Sequence, residues 1–422
     1  MKKFSTSILT GGIVIIWLMV EVWAAEGLTV REGVYNLSSQ PVLNVLTVDK
    51  SVQRMFVLAG HPDGHVDTLR TFRVSTGRAD GDKARRGDLK TPDGIYYVVD
   101  QIPDAKLSAK YGPLALVLDY PNYVDRLESR TGSNIWIHGR DEAIVDRQTE
   151  GCISLENSHI LQLAQYVRIK QTPVIIAEHL QPLSAAELQR QRAVWDSLLR
   201  DWAMSWEKGS LDRFFDYYSP SFRDETRQNL NHFKARKRQL EATYSWKRVI
   251  VSEAVVLESR PEAHITFQQE YICPKFYSRG QKRLIMIPEN SSWRIVREEY
   301  TRTAPQIEVD ASVAAFLETW RKAWEARATD AYMAHYDTTF SAGNYTWQGW
   351  REYKKGVFSQ NPQIRVEIKN VRVTSAEPLT WQVRFTQLYT ADRHRDKGLK
   401  TLILKGVPGA YRISAESWQV QE

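Results

Sequence analysis

Two residues in the first half of the sequence could do nucleophilic chemistry together. Asn134-Ile-Trp-Ile-His-Gly-Arg140 is followed by Thr149-Glu-Gly-Cys-Ile-Ser-Leu155. His138 thus ends an apolar, β-branched run, and Cys152 follows Gly151 just ahead of a helix-forming stretch. A thiol of pKa about 8.5 is mostly protonated at neutral pH, so a nucleophilic cysteine needs an imidazole or the positive end of a helix beside it. His138 offers the first, and a helix starting near Asn157 offers part of the second. Gly151 lets backbone N–H groups approach a reacting carbonyl, and the N–H of Cys152 with its neighbour would form an oxyanion hole. On spacing alone two other readings stand beside catalysis: a buried, inert Cys152, or a Cys152–Cys273 disulfide in an oxidising compartment.

The elements that must position these residues read as mostly β. Runs of β-branched and aromatic residues recur at 43–48, 54–58, 71–75, 95–99, 114–118, 135–137 and 174–177, separated by turn clusters such as His61-Pro-Asp-Gly64 and Thr91-Pro-Asp-Gly94. One helix, 158–167, interrupts them, with Asn157 or Ser158 as its N-cap. The strand spacing fits a sandwich or barrel. Ser184-Ala-Ala-Glu187 is a capping box that opens a long helix through Glu207, with apolar residues at 195, 198, 199, 202 and 206 on one face.

The second half is an internal repeat. A shift of 118 residues brings Trp202 onto Trp320, Trp206 onto Trp324, Asp212 onto Asp330, Tyr218 onto Tyr336, Phe267 onto Phe385, Gln269 onto Gln387 and Glu298 onto Glu416. Each copy reads as a long amphipathic helix, a short helical stretch and three or four long strands, with 301–312, containing Pro305, as the linker. This helix–helix–curved-sheet unit resembles the nuclear transport factor two-like cone fold over residues 190–422, which implies modules that bind a ligand, polymer or partner protein. Neither copy offers a catalytic set. Asp212 and Asp330 lie at a helix end and are read as caps.

The strings around His138 and Cys152 carry a second resemblance. His-Gly followed by Thr-x-Gly-Cys-Ile-x-Leu is similar to the signature of the L,D-transpeptidase catalytic domain family, bacterial cell-wall enzymes with a cysteine nucleophile and a mostly-β fold. Upstream, Val45 to Val48, Thr76-Gly77, Gly87-Asp88 and Thr91-Pro-Asp-Gly-Ile-Tyr96 agree, so the resemblance covers about 40–180. It implies Cys152 as nucleophile, His138 as its base, and Gly139, Thr149 and Gly151 as the shapers of pocket and oxyanion hole. The implied substrate is the peptidoglycan stem tetrapeptide: the thiolate attacks the carbonyl of the L-centre of the third-position diamino acid and expels the terminal D-alanine. An amine, a lipoprotein or water would resolve the acyl-enzyme. Many members carry His or Arg before the Gly-Cys pair and Arg two residues after the Cys. Here Glu150 and Ser154 hold those positions as substrate-contact candidates, and losing a guanidinium that grips a carboxylate bidentately bears on acceptor or donor preference. A lineage of the family that trims tetrapeptides hydrolytically and shapes helical cells joins its catalytic domain to one such cone. Hydrolysis is therefore a rival to transpeptidation, and a decayed wall-binding scaffold is the non-enzymatic alternative.

Composition is consistent with this plan. The 422 residues are 42% hydrophobic and 25% charged, with 14 Trp, 19 Tyr and 2 Cys, which excludes disorder and a disulfide scaffold. The net charge of +7 is dispersed, which argues against nucleic acid as a partner, and the Lys234-Ala-Arg-Lys-Arg238 run is read as one solvated helix face. His61 and His65 lack a third ligand, so no metal is expected, and no cofactor. Cys273 falls in a strand and is read as packing. Lys2-Lys3, an apolar stretch over 8–20, and Val22 and Ala24 at the −3 and −1 positions read as a signal peptide cleaved after Ala24, or an N-terminal anchor. The expected plan is signal 1–24, catalytic domain 25–181 and cones at 182–304 and 305–422, in an exported protein of the periplasm or cell envelope.

Overall fold

The computed structural model describes residues 33–39, 44–392 and 394–421; the expected signal segment lies outside them. Among the described residues, no helix is long and apolar enough to cross a membrane.

The N-terminal domain contains β2 (Val45–Asp49), β3 (Arg54–Gly60), β4 (Val66–Arg73), β5 (Gly94–Pro103), β6 (Leu114–Leu118), β7 (Trp136–Arg140), β8 (Ile153–Glu156) and β9 (Pro173–Ala177), after a short β1 (Val34–Asn36). Eight of these form one sheet in the order β4-β3-β2-β9-β5-β6-β7-β8. The sheet curls on itself, because Ser75 and Ser154 exchange backbone hydrogen bonds of 2.9 Å just past the end of β4. Of the two expected forms the barrel is the nearer. Its β-branched and leucine positions fill the interior, with Val48, Val57, Val98, Leu116, Ile137, Ile153 and Ile176 fully buried. Helix α1 (Tyr123–Leu127) and α2 (Asn157–Ala164) flank the sheet. The expected N-cap of α2 is corrected: Glu156 is the cap residue and makes no side-chain cap bond, because Asn157 points its amide at Asp141.

The first cone comprises α3 (Ala185–Glu207), α4 (Leu211–Phe215), β10 (Tyr218–Arg223), α5 (Leu230–Thr243), β11 (Arg248–Ser259), β12 (Glu262–Ile272), β13 (Phe276–Glu289), β14 (Ser292–Arg302) and a short β15 (Ile307–Glu308). The second has α6 (Val309–Glu325), α7 (Thr329–Met333), β16 (Tyr336–Ala342), β17 (Tyr345–Thr346), α8 (Trp347–Gln360), β18 (Ile364–Glu377), β19 (Thr380–Ala391), β20 (His394–Lys405) and β21 (Arg412–Val420). Ser184 caps α3 in the expected reciprocal box with Glu187, and Trp195, Leu199, Trp202 and Trp206 form its buried stripe. The expectation for each cone is one long helix and a short helical stretch, with a solvated helix face at 234–238 in the first; α5, which contains that run, and α8 are full helices of 14 residues each. They show no apolar stripe because their inward face includes a lysine. Lys237 is buried with Phe233, and Lys354 with Trp350 and Phe358. The run Lys234–Arg238 is accordingly not one solvated face: Lys237 enters the cone while its neighbours face outward. The capping role of Asp212 and Asp330 is also corrected. Ser210 and Ala328 are the cap residues, and the two exposed aspartates pair instead with Arg238 and Arg351.

The N-terminal domain and the first cone share a core. Strand β1, reckoned with the catalytic domain in the sequence, pairs antiparallel with β11, and Val34, Val45, Leu58, Ile95 and Ile175 pack in one cluster with Trp195 and Val256. Glu262 reaches across: its carboxylate accepts from Ile95 N–H at 2.7 Å and from the Asn122 amide at 2.8 Å. His264, 3.0 Å from the other oxygen of Glu262, stacks on Tyr97 with rings 2° from parallel. The cone is therefore a fixed buttress behind β5.

Candidate active site

Strands β7 and β8 run parallel with His138 opposite Ser154, and Cys152 immediately precedes β8. His138, Cys152 and Ser154 all line one cleft of about 750 Å³. The loop carrying the thiol is clamped from a second side. Thr149 N–H donates to Thr76 O, and Arg78 N–H to Thr149 O, both at 2.9 Å. Thr91 Oγ1 accepts from Gly77 N–H at 2.8 Å and donates to Gly151 O at 2.9 Å. The Thr76-Gly77 and Thr91-Pro-Asp-Gly94 segments noted in the sequence are thus the supports of the cysteine loop. Gly151 has φ +128°, and a Cβ there would lie 2.7 Å from Lys90 O, so only glycine fits this turn.

The electrostatics differ from an ion pair. Burial pushes the half-buried Cys152 thiol up, partly opposed by the backbone N–H of Trp136 and by Lys110 and Lys83. Sγ lies 3.5 Å from Asn134 O. Burial also pushes His138 down, partly opposed by its bond to Gly139 O. That bond, 2.7 Å from Nδ1, places the proton on Nδ1 and leaves the Nε2 lone pair free. With the thiol raised and the imidazole lowered, both groups favour their neutral forms, and Nε2 is placed to accept a proton. The expected help from a helix end is absent: β8 separates Cys152 from α2, and at about 3.3 Å per strand residue the helix start is more than 10 Å away.

The remaining sequence candidates take varied positions. Gly139 packs under α2, where a Cβ would meet Ile160 at 2.9 Å and Pro113 at 3.0 Å; it serves the site through its carbonyl on His138. Thr149 Oγ1 accepts from Gly151 N–H at 3.1 Å and donates to Cys152 O at 2.7 Å. The Gly151 N–H is thereby engaged. Glu150 is 77% exposed and pairs with Arg78 at 3.0 Å. Ser154 is fully buried and its hydroxyl has no partner. One further segment, without a signal in the sequence, joins the site: the single-turn helix Ala109–Tyr111. Tyr111 stands edge-on to His138, rings at 90° and 5.0 Å, and also meets Trp136 at 5.1 Å. A one-turn element has no periodicity to read.

Cys152 and Cys273 are both free, and Cys273 is fully buried in the first cone's core. His61 and His65 share the Asp67 carboxylate at 2.9 and 2.7 Å; among the described residues no group of three or more His, Cys, Asp or Glu gathers to hold a metal.

Each cone also encloses a polar cluster. In the first, Tyr218 donates to Glu298, which Lys282 meets at 2.7 Å. In the second, Tyr336 donates to Glu416 at 2.9 Å and Lys400 meets it at 2.6 Å. Lys237 and Lys354 lie over Trp206 and Trp324 at 3.5 and 4.1 Å. The cavities differ, at about 230 Å³ in the first cone and 700 Å³ in the second. The larger is walled by Tyr345, Trp350, Tyr353 and Trp418, with buried, unpartnered oxygens on Gln387 and Asp396.

Residues 43–176 match the L,D-transpeptidase catalytic domain family, YkuD. Residues 195–299 and 312–417 each match the Cds6 C-terminal NTF2-like domain. YafK of Escherichia coli (strain K12), a protein provisionally assigned as an L,D-transpeptidase, is 28% identical over 137 residues, 32% of this chain and 51% of YafK; the chain spans about half the length of that relative. Among solved structures, Bd1075 of Bdellovibrio bacteriovorus superposes with TM-score 0.60 at 24% identity, covering 66% of this chain and all of that one. The helical cell shape determining protein Pgp2 of Campylobacter jejuni gives 0.50 at 24% identity, covering 64% of this chain and 93% of its own. At these identities the two structures show a common fold.

Proposed function

We propose, for a chain whose residues 43–176 match the L,D-transpeptidase catalytic domain family and whose residues 195–299 and 312–417 match the Cds6 C-terminal NTF2-like domain, that Cys152 and His138 process peptidoglycan stem tetrapeptides through an acyl-thioester. The observation that carries this reading is the pairing of β7 with β8, which brings His138 and Cys152 to one cleft with the imidazole Nε2 left free. His138 Nε2 takes the thiol proton as Sγ attacks the carbonyl of the L-centre at stem position three. The Cys152 N–H steadies the developing oxyanion. The intermediate collapses, His138 returns the proton to the departing amine, and D-alanine leaves. An amine then closes a new crosslink or attaches a protein, or water releases a tripeptide.

Transpeptidation is the first reading. Hydrolysis is the second, favoured by the absence of a guanidinium at 154, where Ser154 stands buried and uncharged. The likeness to Pgp2, named for determining helical cell shape, fits a role in wall remodelling. The cell envelope is the compartment where such a substrate is met. The cavity of the second cone, with aromatic walls and unpartnered polar atoms, supports a ligand-binding role for that module. Digesting tetrapeptide muropeptides with the purified protein tests the reading. Three–three linked dimers mean transpeptidase, monomeric tripeptides mean carboxypeptidase, and products identical to those of Cys152→Ala would leave the scaffold reading in their place.

A further inference from the structure

The cleft holds more positive charge than its chemistry uses. Of its cations, Arg78 is met by Glu150 at 3.0 Å and Lys83 by Asp88 at 2.7 Å, and Arg140 pairs with Glu142. Lys110 and Arg86 also line the cleft, and among the described residues neither is in an ion pair; Lys110 is exposed, hydrogen-bonded to Tyr111 and attracted by Glu150. Arg86 sits on the loop beside Gly87. Lys110 is nearer the chemistry: it acts electrostatically on both Cys152 and His138. It leans on its neighbour Tyr111. Tyr111 is wedged against His138 and Trp136, the Lys110 ammonium lies 4.6 Å from the Tyr111 ring, and Gly112 turns the chain at φ +62°.

The geometry points to Lys110 as the residue that recognises the substrate's terminal carboxylate, in place of a guanidinium on β8. This rests on the reading of the cleft as a tetrapeptide site, in which the departing D-alanine carries a free carboxylate two bonds beyond the amide nitrogen that His138 protonates. At position 154, opposite His138, the strand presents only the Ser154 hydroxyl, which can donate one hydrogen bond but carries no charge. The compensating cation would come from the turn that also braces the imidazole. An ammonium is a point charge and not a planar fork, so it would select for charge at that end of the substrate more than for its orientation.

Binding to the Cys152→Ala protein isolates this inference from turnover. Titration with a stem tetrapeptide ending in D-alanine and with its C-terminal amide should show the acid bound about tenfold more tightly. Adding Lys110→Met should weaken the acid to the level of the amide and leave the amide unchanged, while Lys110→Arg should restore most of the preference. Equal binding of acid and amide by the parent, or a preference that survives Lys110→Met, overturns the assignment. Loss of affinity for both peptides alike in Lys110→Met would assign the residue to the fold of the turn and also overturns it. Failure of the wild-type chain to release D-alanine would refute the proposed reaction and is read separately.

Discussion

Replacing Lys354 by Met should make the second cone more stable near neutral pH, although it deletes a charged group that contacts three aromatic rings. Burial pulls this lysine from the ordinary 10.5 down to about 7, with Glu416 and Asp396 opposing and Lys400 adding to the shift. The depressed value means that the folded cone resists protonation. The penalty is complete below pH 7 and fades as pH rises toward the unfolded value, so stability climbs with pH across that window. At about 1.36 kcal/mol per unit, the shift corresponds to a cost of roughly 4 kcal/mol at pH 7, falling by roughly 2 kcal/mol by pH 9. That cost already includes Glu416 and Lys400, and the lost contacts with Trp324, Trp350 and Tyr332 return about 1 kcal/mol. Methionine should thus gain up to about 3 kcal/mol at pH 7. Hydrogen exchange of α8 and β19 peptides in the whole chain, corrected for intrinsic rates, should show protection that rises between pH 7 and pH 9 in the wild type and is flat in the variant. A flat wild-type profile, or a variant less protected at pH 7, would refute the argument that this lysine is held at a cost to the fold.

Other expectations concern the catalytic cleft. Because the thiol is raised and the imidazole lowered, alkylation of Cys152 by iodoacetamide should keep rising above pH 9, where a thiolate–imidazolium pair would plateau near neutrality. D-alanine release should lose its acid limb below the ordinary histidine value of about 6.5, since His138 stays neutral to lower pH. Gly151→Ala should cut D-alanine release by at least a hundredfold, because both its φ and the approach of Lys90 O oppose a Cβ and a small displacement of reacting groups is costly; near-normal release would show that the turn has slack.

How much of this was legible in the sequence depended on whether a residue's neighbours were local. Cys152, His138 and their glycines stand in short strings, and the capping box at Ser184 and the tryptophan stripe of α3 follow helical spacing. The fate of Lys237 and Lys354 was not legible, since a lysine within a charged run signals solvent, and its place over a buried tryptophan depends on a helix 30 or more residues away, α3 for Lys237 and α6 for Lys354. The role of Thr91 was partly visible as a turn residue; its bonds to Gly77 and Gly151 join three separated segments. The helix dipole expected at Cys152 failed because four residues of β8 intervene, a boundary that β-branched residues next to a cap signal leave ambiguous. Pairing of β1 with the first cone crosses more than 200 residues and has no local trace.

The acyl-enzyme itself is the most direct test. Intact mass analysis of the wild-type chain mixed briefly with a stem tetrapeptide should reveal a covalent adduct of the tripeptide, the substrate less D-alanine, mapped to Cys152 and discharged by hydroxylamine. His138→Ala should form it far more slowly, and Cys152→Ala should not form it. A wild-type chain that releases D-alanine with no adduct on Cys152, or that remains unmodified while releasing none, would contradict the account.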